Sequence, residues 1–281
     1  MERIYVEIGN ICNLRCSFCP STTRPPRQMT VAELRQVSAE VKKHTKYVYL
    51  HVMGEPLLHP RLEEFLAILQ EDGLRVCVTT NGTLLRKRGE ILLKSRALHK
   101  ISISLHAPEA NTGICLADYL SDCVDFARRS AEQGIFTVFR LWNLDSEEGQ
   151  GANSDNRFIR DFLRTSFPEE WIPRRNGYRL STRIFLEYDG LFTWPAESKA
   201  EERDCGTCHG LRDQIAILAD GTVVPCCLDS EGIIRLGNLF ETPLEEILHS
   251  PRAVTMRKGF EERRLVEPLC RSCTFAKRFR S

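Results

Sequence analysis

The chain has 281 residues, enough for one large domain or for a core with a modest appendage. Its 39 basic and 38 acidic residues leave a formal net charge of +1, which argues against a dedicated nucleic-acid partner. With 42% hydrophobic and 27% charged residues, and no apolar run of about 18 residues, the composition excludes a disordered chain and predicts no membrane span.

Strand-like and helical patterns alternate over the first two thirds of the chain. Strand-like runs begin near Arg3, Lys46, Leu74, Lys100, Ile135 and Arg183. Between them lie helical stretches, one beginning at a capping box, Thr30 to Glu33, and two ending at Gly73 and Gly134. Six strands alternating with five helices predict an α/β fold with a parallel sheet, either open or curled into a partial barrel. Functional groups are expected at the carboxyl ends of its strands.

The alternation ends near residue 189, and a cysteine-rich region follows. This region contains a hairpin signal, Asp220-Gly221, between strand-like runs at 215–218 and 222–224. The expected division is therefore a barrel over residues 1–188 and a small C-terminal domain over residues 189–281.

The chain contains twelve cysteines. Strand-like sequence begins at Arg3, so no signal peptide is expected and the predicted location is the cytoplasm. In that reducing compartment the cysteines are expected to be thiols or metal ligands rather than disulfides. Nine of them form two groups: Cys12, Cys16 and Cys19, then Cys205, Cys208, Cys226, Cys227, Cys270 and Cys273.

Cys12, Cys16 and Cys19 offer three thiolates from one loop after the first strand. A structural zinc site usually has four protein ligands, and no fourth lies nearby in the sequence. A cubane iron–sulfur cluster held by three thiolates keeps one iron open for another ligand. The spacing favours the cluster and leaves open a zinc site completed by a distant His or Asp.

The segment from Cys12 to Cys19, with Phe18 before the last cysteine, resembles the signature of radical S-adenosylmethionine enzymes. Three further motifs are similar to those of that family: Met53-Gly54-Glu55-Pro56, with Met in place of the first glycine, Thr80-Asn81-Gly82-Thr83 and Ser102-Ile103-Ser104. The resemblance covers about residues 3–188.

The resemblance implies a partial (β/α)6 barrel with a [4Fe–4S] cluster that binds S-adenosylmethionine. One-electron reduction, implied to come from a flavodoxin- or ferredoxin-like protein, would release a 5′-deoxyadenosyl radical that abstracts hydrogen from the substrate. Cys12, Cys16 and Cys19 would ligate iron. The implied cofactor contacts are Phe18 near the adenine, Gly54 and Glu55 near the amino group, Ser104 and Arg140 near the carboxylate, and Asn81 near the nucleoside. No catalytic residue is identified.

The second cysteine group has two interpretations. Cys205 and Cys208 with Cys270 and Cys273 match a four-thiolate zinc ribbon. Alternatively, the region resembles the auxiliary-cluster domains called SPASM and, in shortened form, Twitch. The implied iron–sulfur ligands are Cys208, Cys226, Cys270 and Cys273, with Cys205 or Cys227 as substitutes.

A small polar substrate is expected, because 281 residues leave little room for peptide-binding segments. His51, His106 and Asn143 lie near strand ends and are candidate substrate contacts. Overall resemblance favours a lyase of queuosine salvage that releases queuine from a nucleoside or nucleotide. A sugar or aminocyclitol dehydrogenase and a peptide-modifying enzyme are the alternatives, and an iron–sulfur electron carrier is the non-enzyme hypothesis.

Overall fold

The structure is a computed structural model that describes residues 1–144 and 154–279. Within these ranges eleven strands form one mixed sheet. The strands are β1 (Arg3–Val6), β2 (Tyr47–Tyr49), β3 (Arg75–Thr80), β4 (Leu98–Ser104), β5 (Phe136–Leu144), β6 (Ile172–Arg174), β7 (Gly177–Ser181), β8 (Ile184–Gly190), β9 (Gln214–Ile217), β10 (Thr222–Val224) and β11 (Gly237–Asn238).

Eight α-helices lie in the same described ranges, together with short 3₁₀ turns. The helices are α1 (Val31–Val41), α2 (Leu62–Glu71), α3 (Leu85–Leu93), α4 (Leu116–Glu132), α5 (Ser154–Ser166), α6 (Leu244–Leu248), α7 (Pro251–Glu261) and α8 (Pro268–Arg271). No helix in the described part of the chain is long and apolar enough to cross a membrane.

The predicted parallel sheet is confirmed. Strands β1, β2, β3, β4, β5 and β8 pair in that order and are all parallel. They are the six strands expected from the sequence, and α1 to α5 lie in the connections between them. Strands β6 and β7 add an antiparallel edge beside β8, which the sequence pattern did not predict. The sheet is open, since its end strands β11 and β6 do not pair among the described residues.

Local signals explain where several helices begin and end. The Thr30 hydroxyl accepts the Glu33 N–H while the Glu33 carboxylate accepts the Thr30 N–H, so the capping box at α1 is confirmed. Gly73 and Gly134 follow α2 and α4 with φ of +71° and +80°, a conformation that glycine adopts without steric cost. The apolar stripe of α4 is buried against the sheet and includes Cys123, which is a core thiol.

The C-terminal region continues the same sheet at its other edge. Strand β9 pairs parallel with β1, and β10 pairs antiparallel with β9, which confirms the hairpin expected at Asp220-Gly221. The boundary expected between residues 188 and 189 falls inside β8. The division into two domains stays a prediction, and the described strands of both regions share one sheet.

The side chain of Glu7, directly after β1, connects three distant segments. Its buried carboxylate pairs with both terminal nitrogens of Arg24 at 2.8 and 2.7 Å. It also accepts the backbone N–H groups of Met53 at 3.0 Å and Ala219 at 3.1 Å. One carboxylate therefore holds three segments together: the loop after β1 that contains Cys12, Cys16 and Cys19, which we call the cysteine loop, the turn after β2, and the β9–β10 hairpin.

We expect Glu7→Gln to lower the free energy of unfolding by about 3–5 kcal/mol, because it leaves the Arg24 guanidinium without its buried counter-charge. Anaerobic urea unfolding of the reconstituted protein measures the change. The matched control is Glu71→Gln, since the Arg35–Glu71 pair is exposed and worth about 1 kcal/mol or less. Equal effects of the two substitutions would contradict a central role for Glu7.

Candidate functional site

The loop after β1 carries the first three cysteines at the carboxyl edge of the sheet. Asn10 closes this loop on itself: its side chain donates to the Pro25 carbonyl oxygen at 3.0 Å and accepts the Arg27 N–H at 2.8 Å. Inside the loop the Cys19 N–H donates to the Cys16 carbonyl oxygen at 3.0 Å. Side-chain and backbone hydrogen bonds thus hold the loop that carries the three thiols.

Two asparagines reach this loop from neighbouring strand ends. Asn81, after β3, donates its amide N–H to Asn13 Oδ1 at 3.0 Å and contacts Cys12 Sγ at 3.8 Å. Asn111, downstream of β4, donates to Cys16 Sγ at 3.3 Å. Asn81 was singled out from the sequence, whereas Asn111 was missed because it lies seven residues beyond its strand, outside any motif.

The first three thiols are partly buried, and their charges interact. Burial raises the pKa of each thiol, and the charges of Glu55, Cys16 and Cys19 raise the pKa of Cys12 further. Within the described ranges, no three His, Cys, Asp or Glu side chains are placed to hold a single metal ion.

The turn after β2 has one position that requires glycine. Gly54 has φ of +79°, and a Cβ there would lie 2.4 Å from the carbonyl oxygen of Gly9. Met53, which replaces the first glycine of the family motif, is not among the residues with positive φ. Its side chain is buried, so the turn accommodates methionine at this position.

The carboxylate of Glu55 is buried and engaged inside the protein. It accepts hydrogen bonds from the Thr80 hydroxyl at 2.8 Å, the Asn81 N–H at 2.8 Å and the Leu57 N–H at 3.0 Å. Burial raises the pKa of this carboxyl group. The side chain therefore fixes the Gly54 turn against the end of β3.

A cavity of about 550 Å³ lies between the cysteine loop and the C-terminal region, over the inner face of the sheet. Seven residues predicted from the sequence line it: Phe18, Cys19, His51, Ser104, His106, Arg140 and Cys227. Ser104 and Arg140 are paired positions on β4 and β5. The rings of Phe18 and His106 lie 4.8 Å apart. We call this space the barrel cavity.

Arg140 brings a positive charge into the barrel cavity. Its Nη1 lies 3.4 Å from the Thr79 hydroxyl, and its guanidinium lies 4.4 Å from the Trp142 ring centre. The Nε atom is buried without a hydrogen-bond partner among the described residues. Burial lowers the pKa of this guanidinium, so the fold holds a cation in a costly place.

Both cavity histidines are neutral near pH 7. Burial lowers the pKa of His51 to about 3 and that of His106 to about 4. The Nε2 of His51 lies 3.3 Å from the Thr79 hydroxyl, while the Nδ1 of His106 lies 3.1 Å from the Arg140 carbonyl oxygen. A neutral imidazole carries one donor nitrogen and one acceptor nitrogen, so each ring can donate one hydrogen bond and accept one.

Asn143 does not join the residues around the barrel cavity. Its amide exchanges two hydrogen bonds with that of Asn156, at 3.0 and 3.1 Å, and donates to Glu109 at 2.6 Å. These contacts connect the end of β5 to α5. The predicted contact between Asn143 and a substrate therefore has no support from its position.

Four cysteines of the second group line a separate apolar cavity in the C-terminal region: Cys208, Cys226, Cys270 and Cys273. Burial raises the pKa of all four thiols. The charge of Cys208 adds to the rise in the pKa of Cys226 and of Cys270, because these thiols line the same cavity. The structure thus brings together the four cysteines that the sequence favoured as auxiliary ligands.

The two substitute cysteines lie apart from that cavity. Cys205 is exposed and pairs through its backbone with Arg264. Cys227 lines the barrel cavity, where its thiol is hydrogen-bonded to the Tyr5 hydroxyl. Since Cys226 and Cys227 are adjacent, the auxiliary cavity and the barrel cavity border one another.

Comparison with known proteins matches both halves of the chain. Residues 6–144 match the model of the radical SAM superfamily, and residues 208–274 match that of an iron–sulfur cluster-binding domain, SPASM. A GTP 3′,8-cyclase from Synechococcus sp. strain CC9902 is 36% identical over an alignment that covers 79% of this chain and 78% of that protein. The chain belongs to the radical S-adenosylmethionine superfamily.

Membership of this superfamily implies that the protein binds a [4Fe–4S] cluster and S-adenosylmethionine, and the SPASM region implies additional iron–sulfur clusters. The match to the SPASM region begins at Cys208, so it includes the four cysteines of the auxiliary cavity and leaves Cys205 outside. Matches to GTP 3′,8-cyclases of Chlorobaculum tepidum and Aquifex aeolicus cover only 33% and 38% of those proteins.

Solved structures of radical enzymes share the fold. BtrN in complex with AdoMet and 2-DOIA superposes with a TM-score of 0.57 and 17% identity, over 97% of this chain and 92% of that chain. The enzyme anSMEcpe with AdoMet and the Kp18Cys peptide superposes with a TM-score of 0.63 and 13% identity, over 98% and 86%. At these identities the likeness concerns the fold alone.

We expect Cys226→Ser to lose about half of the cluster iron, because it removes a thiol of the auxiliary cavity. The adjacent Cys227→Ser should keep full iron, and the same contrast is expected between Cys208→Ser and the exposed Cys205→Ser. Iron and sulfide analysis after anaerobic reconstitution measures both pairs. Loss of iron from the Cys205 or Cys227 variant instead would assign the ligands differently.

Proposed function

We propose that the protein oxidises a small polar substrate in the barrel cavity by abstracting a hydrogen atom from it. The observation that carries this proposal is the position of the cavity, which borders Cys19 on one side and Cys227, next to Cys226, on the other. Its volume of about 550 Å³ suits a small molecule. One cysteine of each group, Cys19 and Cys227, therefore lines the proposed substrate space.

The cofactors would be held by the chain's own cysteines. Cys12, Cys16 and Cys19 are the proposed ligands of the cluster that binds S-adenosylmethionine, and the four cysteines of the auxiliary cavity are the proposed ligands of a second cluster. When bound, these groups would supply a 5′-deoxyadenosyl radical, which takes one hydrogen atom from the substrate, and an acceptor for the remaining electron. The proton of the neighbouring O–H or N–H would pass to water. A flavodoxin- or ferredoxin-like protein is the proposed electron donor.

Residues of the cavity rim would orient S-adenosylmethionine. Phe18 offers a ring face to the adenine, Asn81 lies beside the cysteine loop, and Ser104 and Arg140 offer a hydroxyl and a cation to the carboxylate. The Glu55 carboxylate is already engaged, so a contact with the amino group would come from the backbone of the Gly54 turn.

The GTP 3′,8-cyclases among the relatives favour a small substrate. The solved structures are compatible with either class of substrate, because BtrN with 2-DOIA and anSMEcpe with the Kp18Cys peptide match 97% and 98% of this chain. The GTP 3′,8-cyclases act, by name, on a nucleotide. Release of queuine from a queuosine nucleotide stays a hypothesis, because none of these relatives carries such an activity in its name.

The test is 5′-deoxyadenosine release by the reconstituted protein with dithionite and S-adenosylmethionine, in the presence of candidate substrates. Aminocyclitols, sugars, nucleotides including queuosine 5′-phosphate, and peptides form the panel. We expect a small polar compound to stimulate release and to give one oxidised product per 5′-deoxyadenosine. Stimulation by peptides alone would refute the proposal. Release of free queuine from queuosine 5′-phosphate would also refute it, and would show that the protein is a lyase.

Ser104→Ala is expected to weaken S-adenosylmethionine binding about tenfold, since it removes a hydrogen bond to a charged group. Equilibrium dialysis on the reconstituted protein measures the dissociation constant. Ser102→Ala is the matched control: Ser102 lies two residues earlier on the same face of β4, and its buried hydroxyl has no partner among the described residues. Equal affinities in the two variants would remove Ser104 from the proposed cofactor contacts.

A further inference from the structure

The lower end of the barrel cavity, by which we mean the end beside Lys100 and away from Ser104, contains basic side chains that lack acidic partners. Lys100 lies on β4 and lines the cavity together with Arg3 of β1 and Arg140 of β5. In the described part of the chain neither Lys100 nor Arg140 forms an ion pair, while Arg3 contacts the exposed Glu2 at 3.6 Å. The Lys100 ammonium lies 5.7 Å from the centre of the Tyr49 ring.

Few carboxylates balance this charge. Glu187 on β8 is opposite Arg140 in the sheet, and its charge acts on both Arg140 and Lys100. Glu7, on the same face of β1 as Arg3, is already paired with Arg24. Since Arg140 is assigned to the S-adenosylmethionine carboxylate, the surplus of positive charge at the lower end consists of Lys100 and Arg3, and burial makes that surplus costly unless an anion joins it.

Lys100 is separated from the proposed cofactor contacts by the length of its strand. It lies four residues before Ser104 on the same side of β4, which corresponds to about 13 Å along the strand. An anion at Lys100 would thus be distinct from the S-adenosylmethionine carboxylate near Ser104. A neighbouring pocket of about 380 Å³ shares Arg3, Tyr49 and Lys100 with the barrel cavity, so Lys100 lies between the two spaces.

We propose that Lys100, supported by Arg3, binds an anionic end group of the substrate, a phosphate ester or a carboxylate, at the lower end of the barrel cavity. This inference rests on the proposed function, because it describes the substrate of that same cavity. It defines an elongated substrate whose reacting carbon lies near Cys19 and Phe18 while its oxyanion lies deeper among the cations.

The experiment measures binding of radiolabelled orthophosphate to the anaerobically reconstituted protein by equilibrium dialysis. We expect saturable binding that Lys100→Met weakens at least about tenfold. Lys100→Arg keeps the charge and should retain binding, and the exposed Lys94→Met is the matched control on the surface. Unlabelled ribose 5-phosphate displaces the label if the site takes phosphate esters, and succinate displaces it if the site takes carboxylates.

A second measurement needs no variant. Orthophosphate should protect Lys100, and not Lys94, from acetylation of the native protein, as followed by mass spectrometry of its peptides. No saturable binding by the wild-type protein, or equal binding by Lys100→Met, would overturn the proposal, and so would equal acetylation of Lys100 with and without phosphate. Since neither assay requires turnover, the anion site can fail while the radical reaction stands, and the reverse.

Discussion

The arrangement of the site depends on one buried carboxylate, that of Glu7. Backbone loops at the edge of a parallel sheet have few regular hydrogen bonds to hold them, so a side chain must do it. Glu7 lies where β1 ends and uses both oxygens on Arg24, Met53 and Ala219. Because these three residues belong to the cysteine loop, the Gly54 turn and the β9–β10 hairpin, their relative positions are set by a single anion.

The pairing of β9 with β1 gives the site its second half. A sheet that ended at β1 would leave the barrel cavity open on that side. Instead β9 and β10 extend the sheet, and the chain after β10 brings Cys226 into the auxiliary cavity and Cys227 into the barrel cavity. Two residues that are adjacent in sequence thus line two different cavities. A cluster in the auxiliary cavity would lie next to a substrate in the barrel cavity without occupying that cavity.

The sequence predicted the six parallel strands and the cysteine groups, because alternation of strand and helix and the spacing of ligands are local patterns. It did not predict β6 and β7, which are only three and five residues long, nor Asn111, which reaches Cys16 only through the fold. Asn143 looked like a cavity residue from its strand position. Its pairing with Asn156 depends on where α5 packs, and no local pattern records that.

The interior of this sheet differs from an ordinary barrel core, which branched apolar side chains fill in layers. Here the inner face carries Tyr5, Tyr49, His51, Lys100 and Arg140 around a cavity. Each of these groups loses hydration on folding, and the cations repel one another, so the arrangement reduces stability. A fold keeps such a feature where a ligand completes it, since an anion among the cations offsets the cost of burying them. The polar interior is therefore evidence for a charged substrate that is independent of the cysteine motifs.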